Sequence, residues 1–530
     1  MIVDTKSRGI PREILDFLRA EGGHSLIIKG EAGTGKTTMA LQIVEELMEE
    51  QANYYLSSRV SDDALYRQFP WLRERTRRDS ILRASRTFLK KTHVPVAEKE
   101  ECRKDATLRA AMELLKVLSR SESVPTVVRS ELQKLEGQIE SGEIAEEGET
   151  GSAEFVDGSI ILDLGTLLPE LELAYDLAES NLPRRTLVII DSIDGLSEKY
   201  GIQSNRIVNT LQKDLVDHSG TNVIYVLESA GKTQIDYLGD GVVILKSEER
   251  KGRRLRYLVI EKLRGSSIVR WRYLFTLADG RLKAFGETEI IRPESIRKHL
   301  PVEDPNEKRV SAGSSDIDRV IGGLPRGGLV LMEIGPDVPP DFIRVVDLLL
   351  VFDFLLKKRG VVWYPLQSVD CTALERQMRW GVPSDAISGC LRILTLAGDE
   401  RCSFVSTIEG NDAANDFRWD SITYGLSAAL NPFVALLGCD ALEAQYGNDV
   451  MRQMHSFIER MRRHNNIVIA EATDKSASLS ALAHQSQVHV QFENIDGTIV
   501  FSGIKPHTPY FAIEFEESER VPILRLLPII

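Results

Sequence analysis

Short apolar runs alternate with longer helical patterns in the first sixty residues of the chain. Ser25–Lys29 reads as a buried strand, a glycine-rich turn follows it, and Thr37–Glu50 has helical spacing. Asn53–Leu56 reads as a second strand. Strands that alternate with helices in this way are typical of a parallel sheet covered on both faces, so the pattern predicts an α/β fold.

The same alternation returns further along the chain. After a helical stretch that ends at Ser180, the apolar strand Thr186–Ile190 (TLVII) leads directly into Asp191. The polar, proline-containing segment Pro301–Lys308 reads as a linker, so the first domain is expected over residues 1–300. The remaining strands predicted in that domain are Ser159–Leu164, Asn222–Leu227, Val242–Leu245, Leu255–Glu261 and Val269–Leu274.

A charged and mostly helical stretch over residues 70–155 interrupts the sheet pattern. Leu108, Met112 and Leu115 have the spacing of one helix face. Residues 140–154 contain six glutamates, three glycines and no lysine or arginine, which is typical of a mobile acidic loop. We interpret the whole stretch as an insertion into the first domain.

The second half of the chain repeats the plan of the first. The segment Ile193–Gly201 (IDGLSEKYG) is echoed by Cys439–Gly447 (CDALEAQYG), and each copy follows an apolar strand. We therefore predict two tandem domains of one type, with the second over residues 309–530. The elements predicted in it are strands at Leu329–Ile334, Val361–Tyr364 and Asn431–Gly438 and a helix at Phe342–Lys357.

Composition narrows the class of protein without changing the predicted fold. The chain has 530 residues, of which 42% are hydrophobic and 27% charged, as is ordinary for globular domains. The apolar run Leu348–Leu356 contains Asp353 and is far shorter than the ~20 residues that span a bilayer. No secretory signal is visible, and the five cysteines lack CxxC spacing. We expect no membrane partner, free thiols and a cytoplasmic location.

The charge balance counts against a generally basic nucleic-acid binder, because the net charge is −13. Lys246–Arg256 nevertheless holds six basic residues between two predicted strands and reads as a hairpin loop. A solvated loop, an acidic protein partner and a nucleic-acid backbone all remain open for it. DNA is therefore a possible partner that the composition does not favour.

Residues 30–37 read GEAGTGKT and fit the phosphate-binding pattern GxxxxGK[ST]. The glycines let backbone N–H groups form an anion nest, and the following helix adds its positive end. Lys36 supplies a charge for the β- and γ-phosphates, and the Thr37 hydroxyl is expected to ligate Mg²⁺. We predict that ATP is bound by the segment and the residue after it: Gly30, Glu31, Ala32, Gly33, Thr34, Gly35, Lys36, Thr37 and Thr38.

Asp191 has the position of a Walker B carboxylate, at the end of an apolar strand. A carboxylate at that edge of the sheet can orient a water on the magnesium ion beside the P-loop. The sequence thus predicts Mg²⁺ at Thr37 and Asp191. Ser192 is a candidate neighbour of the γ-phosphate or of water, so the candidate catalytic residues are Lys36, Asp191 and Ser192.

The order of elements resembles the RecA superfamily and, within it, the KaiC/RadA-like branch. The resemblance lies in IIDSIDGL at Ile189–Leu196, YLGDGVVIL at Tyr237–Leu245 and EKLRGS at Glu261–Ser266. In that family the lysine and arginine of the last motif reach the ATP of a neighbouring subunit. The resemblance implies this trans-acting role for Lys262 and Arg264 in a homo-oligomer, with a basic strand end on a solvated surface as the alternative.

Three further stretches extend the resemblance to both halves of the chain. Ser311–Gly335 resembles the opening of a KaiC-type domain. The segments IKGEAGTGKTTMAL and YYLSSRVSDDALYRQFPWL resemble the archaeal gas-vesicle regulator GvpD family. Because a GvpD protein counteracts a transcriptional activator, the resemblance implies a regulator with a protein partner, for which a transcriptional regulator is the candidate.

The second domain departs from the family pattern at its phosphate loop. Residues 335–342 (GPDVPPDF) contain no lysine, serine or threonine, their prolines remove N–H donors, and Asp337 and Asp341 would repel phosphates. The internal echo also places Leu437 opposite Asp191 and Gly438 opposite Ser192. We expect a degenerate domain without Walker motifs.

The first domain departs from the family pattern at its catalytic carboxylate. KaiC-like ATPases carry acidic residues after the strand beside the P-loop strand, where this chain has Ser57, Ser58 and Arg59. Asp62 or Asp63 remain open as substitutes or as helix caps. The sequence predicts slow hydrolysis and favours an ATP-dependent regulatory switch. A recombinase-like DNA-dependent ATPase and a non-switching, nucleotide-stabilised scaffold are the alternatives.

Overall fold

A computed structural model describes most of the chain outside the predicted insertion. Nearly all of residues 70–155, with the predicted acidic loop, lies outside the described residues. The structure describes residues 9–58, 62–71, 153–156, 159–162, 169–291, 299–367, 370–379, 381–396, 402–426, 428–516 and 523–530.

The described residues fall into two compact units. The first, called here the P-loop unit, comprises those within Arg12–Val243 and Glu261–Ile268. The second, called here the C-terminal unit, comprises those within Ile244–Ile260 and Val269–Ile530, together with residues 9–11. The units interleave along the chain, and the domain bounds expected from the sequence, with a linker over residues 301–308, stay a prediction.

The P-loop unit is built around a largely parallel sheet with helices packed against it. Its strands are β1 (Ser25–Gly30), β2 (Ala52–Ser57), β3 (Ala153–Val156), β4 (Ser159–Leu162), β5 (Thr186–Asp191), β6 (Asn222–Leu227), the start of β7 (Gly241–Arg250) and the end of β8 (Arg253–Leu263). Its helices are α1 (Arg12–Arg19), α2 (Lys36–Leu47), α3 (Asp62–Gln68), α4 (Pro169–Ser180), α5 (Ile193–Tyr200), α6 (Ser204–Leu211) and α7 (Ile235–Leu238), with a π-helix at Gln212–His218.

The central strands of this sheet have the order β7-β1-β6-β5-β2. Strand β6 is parallel both to β1 and to β5, and β5 is parallel to β2. Every residue of β1 and β6 is buried, as expected for strands of a parallel sheet that is covered on both faces. The strands predicted at Asn222–Leu227 and Thr186–Ile190 are confirmed, the second with Asp191 as its last residue.

The C-terminal unit contains a larger sheet and most of the helices that the structure describes. Its strands, besides the outer parts of β7 and β8, are β9 (Arg272–Thr276), β10 (Lys283–Phe285), β11 (Arg309–Val310), β12 (Leu324–Pro325), β13 (Leu329–Ile334), β14 (Arg359–Tyr364), β15 (Leu391–Thr395), β16 (Val405–Thr407), β17 (Leu430–Gly438), β18 (Ile467–Thr473), β19 (Val488–Ile495), β20 (Thr498–Lys505), β21 (Phe511–Glu516) and β22 (Ile523–Pro528). Its helices are α8 (Ser315–Ile321), α9 (Pro340–Leu356), α10 (Cys371–Met378), α11 (Ser384–Cys390), α12 (Ala413–Asp416), α13 (Trp419–Gly425), α14 (Cys439–Tyr446), α15 (Val450–Gln453), α16 (His455–Arg463) and α17 (Leu479–Gln485).

The two units share one strand topology. The sheet of the C-terminal unit has the order β16-β15-β14-β17-β18-β13-β19-β20-β21-β22. Its parallel core has the order β13-β18-β17-β14, and the P-loop unit has the corresponding order β1-β6-β5-β2. In each unit, the four core strands therefore lie side by side as the first, fourth, third and second along the chain. The predicted α/β fold with two tandem parallel-sheet domains is confirmed.

The internal echo in the sequence corresponds to a repeated contact. In the P-loop unit, Asp194 Oδ2 accepts a hydrogen bond of 2.7 Å from the backbone N–H of Glu228. In the C-terminal unit, Asp440 Oδ2 accepts one of 2.9 Å from the backbone N–H of Thr473. Each aspartate is the second residue of the helix after one core strand and fixes the end of the neighbouring strand. The echo therefore reflects a repeated structural element.

Helix α9 has the position in the C-terminal unit that α2 has in the P-loop unit. Residues 335–339 separate β13 from α9, just as residues 31–35 separate β1 from α2. Pro339 is the N-cap of α9 and Pro340 is its first residue, so neither can offer a backbone N–H to a phosphate. This geometry agrees with the degenerate loop expected from the sequence.

The basic cluster at Lys246–Arg256 lies on a hairpin, but less of it is loop than we predicted. Strands β7 and β8 take up most of it and leave a turn at residues 251–252. Arg250 and Lys251 each form an ion pair of 3.0 Å with Glu493. The buried Arg253 donates hydrogen bonds to the carbonyl oxygens of Thr508, at 2.6 Å, and Gly503, at 2.7 Å. Three basic residues of the Lys246–Arg256 cluster thus already have partners within the C-terminal unit.

Two expectations from composition can be checked in the part of the chain that the structure describes. Among the described residues, no helix is both long and apolar enough to cross a membrane. Cys390, Cys402 and Cys439 are buried free thiols, as expected for this cysteine pattern.

Candidate nucleotide site

The P-loop connects β1 to α2 in a conformation that depends on its glycines. Gly33 has φ of 74° and Gly35 has φ of 99°, in the left-handed region that favours glycine. A Cβ at Gly33 would meet no atom within 4 Å, so the loop is open on that side. Lys36 Nζ donates hydrogen bonds to the carbonyl oxygens of Gly30, at 2.8 Å, and Glu31, at 2.9 Å. The loop therefore curls around its own lysine, in a shape that fits a chain of phosphates.

The predicted magnesium ligands lie side by side next to this loop. Thr37 Oγ1 donates a hydrogen bond of 2.7 Å to Asp191 Oδ2. The Tyr55 hydroxyl donates a second one, also 2.7 Å long, to the same oxygen. Burial, with the charge of Asp191, raises the pKa of Tyr55 well above its ordinary value and keeps it a neutral donor. A hydroxyl and a carboxylate held together at a P-loop are the oxygen ligands that suit Mg²⁺.

Two serines connect the ends of β2 and β5. The backbone N–H of Ser192 donates to Ser58 Oγ at 2.9 Å, and Ser58 Oγ lies 3.2 Å from the carbonyl oxygen of Ser192. Ser192 also caps α5, because its Oγ accepts from the backbone N–H of Gly195 at 3.2 Å. Ser192 therefore has a structural role as the N-cap of α5. Its expected position near the γ-phosphate stays a prediction.

Glu228 is the acidic residue of this site that our sequence analysis missed. It follows β6, which lies between β1 and β5, and its Oε1 accepts a hydrogen bond of 3.4 Å from Ser192 Oγ. Burial lowers the pKa of Lys36, and the charge of Glu228 is the largest influence in the opposite direction. An apolar strand that ends at an acidic residue was the signal for Asp191, and Asn222–Leu227 followed by Glu228 repeats it.

The acidic residues that the sequence left open lie on the next helix along the chain. Asp62 and Asp63 are the first two residues of α3, and Arg59 lies outside the described residues. Ser57 ends β2, where it is paired in register with Asp191. The expectation that this strand lies beside the P-loop strand is wrong, because β1 lies between β7 and β6, whereas β2 lies at the edge of the sheet beside β5. At the end of β2, the described residues thus offer hydroxyl groups where the family pattern has a carboxylate.

Lys262 and Arg264 hold a turn of their own unit. Lys262 Nζ donates to the carbonyl oxygens of Gly239 and, at 3.4 Å, of Asp236. Arg264 forms an ion pair of 2.8 Å with Asp240, yet 62% of its side chain remains exposed. The structure brings Lys36, Thr37, Asp191 and Ser192 together, whereas the hydrogen bonds it describes for Lys262 and Arg264 all go to residues 236–240.

A buried ion pair lies directly beneath the P-loop. Lys29 precedes Gly30 on β1, has a fully buried side chain and pairs with Asp236 at 2.6 Å. Asp236 also accepts a hydrogen bond of 2.9 Å from the backbone N–H of Thr233. Burial alone would raise the pKa of Asp236, but the hydrogen bonds from Lys29 and Thr233 outweigh burial and lower it. The pair thus joins the P-loop strand to the turn that Lys262 contacts.

Replacing Asp236 by asparagine is expected to destabilise the P-loop unit by about 3–5 kcal/mol, because it leaves the Lys29 charge buried without a counter-ion. The free energy of unfolding in urea measures this loss. Since the folded-state pKa of Asp236 is lowered, its contribution is complete above the unfolded-state pKa. The stability contribution of Asp236 should be lost as the pH falls through its folded-state pKa.

Two variants serve as controls for this prediction. Asp16→Asn removes an exposed ion pair with Arg19 and should change stability by less than about 0.5 kcal/mol. Adding Lys29→Met to Asp236→Asn removes the buried charge as well and should restore much of the stability. Equal unfolding free energies of Asp236→Asn and the wild type would contradict a structural role for the pair.

Comparison with known proteins agrees with these features of fold and site. A family model described as the GvpD gas vesicle protein, P-loop domain, matches residues 14–94, and the KaiC ATPase model matches residues 131–289. The chain is 23% identical to Protein GvpD2 of Halobacterium salinarum, in an alignment that covers 97% of this chain and 95% of that protein. It is 22% identical to Protein GvpD1 of the same organism, over 97% of this chain and 96% of that protein.

Fold, site and family matches together are those of a P-loop protein that is similar over residues 131–289 to RecA-like ATPases of the KaiC type. More particularly, the chain is homologous to the GvpD proteins over most of its length. The resemblance expected from the P-loop, from the Walker B segment and from EKLRGS at Glu261–Ser266 is confirmed.

Proposed function

We propose that this protein is an ATP-dependent regulatory switch with one nucleotide site, acting through protein contacts in the regulation of gas vesicles. The observation that carries the proposal is the contact of 2.7 Å between Thr37 Oγ1 and Asp191 Oδ2 beside Lys36. A P-loop with its magnesium ligands already in contact is built to read the phosphates of a nucleotide. The homology to GvpD supports the regulatory setting. The cytoplasm, which supplies ATP, remains the expected compartment.

The residues of the site suggest how nucleotide is recognised. Lys36 would exchange the carbonyl oxygens of Gly30 and Glu31 for the β- and γ-phosphates, which accept stronger, charge-assisted hydrogen bonds. Thr37 and Asp191 would hold Mg²⁺, directly or through water, and the ion would neutralise part of the phosphate charge. Tyr55 keeps Asp191 oriented in the meantime. Binding would therefore change the partners of Lys36 more than those of the magnesium ligands.

Slow hydrolysis fits the distribution of acidic groups around the site. We assign Glu228 as the carboxylate that orients or activates the attacking water, because it lies between the P-loop strand and Asp191. Its position at the end of β6 differs from the end of β2, where KaiC-like enzymes carry this group. A base in a displaced position supports a switch with low turnover rather than a fast motor.

The nucleotide state of the site would be transmitted through contacts between subunits. Arg264 is largely exposed and Lys262 is anchored beside it, so both could meet the γ-phosphate of a neighbouring copy. Loss of the γ-phosphate would then weaken the contact between copies or with the regulatory partner. Part of the basic hairpin is already neutralised within the C-terminal unit, which counts against a recombinase-like DNA-dependent ATPase.

Calorimetric titration of the wild-type chain tests the single site. We expect one ATP per chain in the presence of Mg²⁺, since Pro339 and Pro340 remove N–H donors where the second loop would bind phosphates. Thr37→Ala should weaken ATP binding about tenfold with Mg²⁺ and change it little with EDTA. Two ATP per chain, or identical effects with and without Mg²⁺, would contradict the proposed site.

ATPase rates with and without single-stranded DNA separate the proposal from the DNA-dependent alternative. Clear stimulation of the rate by DNA would favour that alternative.

A further inference from the structure

Two acidic side chains contact each other in the core of the C-terminal unit. Asp347 lies on α9 with 5% of the residue exposed, and Glu471 lies on β18 with none exposed. The two side chains interact through a hydrogen bond. No N–H or O–H group of the described residues donates to Asp347 Oδ1 or to either carboxyl oxygen of Glu471. Acidic residues are almost never fully buried unless they are paired, so this arrangement needs a physical explanation.

The fold itself does not require acidic residues at these two positions. Asp347 is the eighth residue of α9, and the eighth residue of α2 is Ile43. Glu471 pairs with the fourth residue of β13, and Val226 pairs with the fourth residue of β1. Ile43 and Val226 are both fully buried. The P-loop unit therefore has apolar side chains where the C-terminal unit has two carboxyl groups.

A shared proton satisfies the two carboxyl groups. Two carboxylates in contact and out of water repel each other, so one of them keeps its proton at a pH where an exposed carboxyl group has lost it. That proton supplies a donor to the buried oxygens, which otherwise have none among the described residues. Burial raises the pKa of both groups, and the charge of Glu471 raises the pKa of Asp347 further. The two groups therefore titrate as one unit.

The surroundings of the two carboxyl groups contain little charge that could replace the proton. Arg344, one turn earlier on α9, lowers the pKa of Asp347 but is the weakest of the influences on it. Beside Glu471 lies the Cys439 thiol at the start of α14, and burial followed by the charge of Glu471 raises the pKa of this thiol. Two more acids of α14 act on the same thiol: Asp440 and Glu443. Among the described residues of β13, β14 and β17, none has a charge that shifts either carboxyl group.

We propose that Asp347 and Glu471 form a proton-dependent switch in the C-terminal unit. With one proton shared, the two side chains hold α9 against β18. When rising pH removes that proton, two negative charges repel each other in the core, and the helix loosens from the strand. Asp347 also lines a cavity of about 260 Å³, together with Ile343 and Arg344 of the same helix. Loosening of α9 opens this cavity to water, which stabilises the ionised groups. The switch needs no nucleotide.

The direction of the pH effect follows from the raised pKa values. Because the pKa of each carboxyl group is higher in the folded than in the unfolded state, the folded unit binds the proton more tightly. The stabilising contribution is complete below the unfolded-state pKa of about 4 and is lost as the pH rises through the folded-state pKa. One bound proton of difference changes the folding equilibrium about tenfold per pH unit.

Hydrogen–deuterium exchange of the full chain at about pH 7 and about pH 8.5, corrected for the intrinsic exchange rate, tests the switch. The interval lies above the titration of Asp318 in the same unit, whose pKa burial raises to about 6. We expect the protection of α9 and β18 to fall at least about tenfold over this interval. Peptides from α2 and β6 are the internal control, because Ile43 and Val226 do not titrate. In the double variant Asp347→Asn, Glu471→Gln, which cannot ionise at these positions, protection should change by less than about twofold.

Each outcome of this experiment decides for or against the switch. Unchanged protection of α9 and β18 in the wild type would contradict it. An equal fall in α2 and β6, or in the double variant, would show that the fall has another cause and would also overturn the switch. Circular dichroism shows whether the double variant is folded. If it is not, the comparison of α9 and β18 with α2 and β6 in the wild type decides the question.

Discussion

Replacing Lys36 by alanine should abolish measurable ATP binding, with an affinity at least about 100-fold lower than that of the wild type. The lysine is the cationic side chain at the centre of the P-loop, and it already donates two hydrogen bonds to the loop carbonyls. A phosphate would receive these hydrogen bonds in their stronger, charge-assisted form, each contributing about 1.5–3 kcal/mol. Isothermal titration calorimetry with ATP and Mg²⁺ measures the difference.

Lys213→Ala is the matched control, since this exposed lysine lies in the same unit on the π-helix. It should bind ATP like the wild type. Retained affinity in Lys36→Ala, with Lys213→Ala also unchanged, would mean that Gly30–Thr37 is not the nucleotide site. Equal losses in both variants would point to a general effect of net charge.

Replacing Glu228 by glutamine should reduce the rate of ATP hydrolysis about 100-fold and leave ATP affinity within about threefold. General-base groups contribute roughly 10²–10⁴ to rates, and glutamine keeps the shape of the side chain but cannot accept the proton. Single-turnover hydrolysis measures the rate, and calorimetry measures the affinity.

Glu179→Gln, an exposed glutamate at the end of α4, serves as the control and should hydrolyse ATP at the wild-type rate. If Glu228→Gln hydrolyses ATP as fast as the wild type, the water is activated elsewhere. Asp62 and Asp63 at the start of α3 would then be the next residues to replace. A loss of affinity equal to the loss of rate would instead assign Glu228 to binding.

The part of the site that could be predicted from the sequence lies within single segments. Gly30–Thr37 carries its chemistry in one turn, and Asp191 follows one apolar strand. Local spacing is enough for both, because the P-loop needs only a strand before it and a helix after it. The tandem architecture could also be predicted, since the echo of Ile193–Gly201 at Cys439–Gly447 marks equivalent helices.

The rest of the site depends on which strands are neighbours. Tyr55 reaches Asp191 because β2 lies beside β5, and Glu228 faces the site because β6 lies between β1 and β5. Hydrophobic periodicity identifies strands but does not give their order. The partners of the basic hairpin were missed for the same reason, since Arg250 meets Glu493 across a large separation in sequence.

Two aspartates of helix α9, Asp353 and Asp347, have different partners, and the sequence does not reveal this difference. Asp353 interrupts an apolar run, and its buried carboxylate pairs with Lys357 at 2.7 Å, a contact that i,i+4 spacing suggests. Asp347 lies in the same helix, yet its partner is Glu471 on a distant strand. Only the fold shows that one aspartate is a neutralised structural group and the other lines a cavity.

The central claim, that nucleotide state changes assembly, is tested most directly by size-exclusion chromatography with light scattering. We expect the wild type to form a larger assembly with ATP and Mg²⁺ than with ADP or without nucleotide. The double variant Lys262→Ala, Arg264→Ala should bind ATP but fail to assemble. The same mass in all three nucleotide states, in a protein that binds ATP, would contradict the switch and favour a nucleotide-stabilised scaffold.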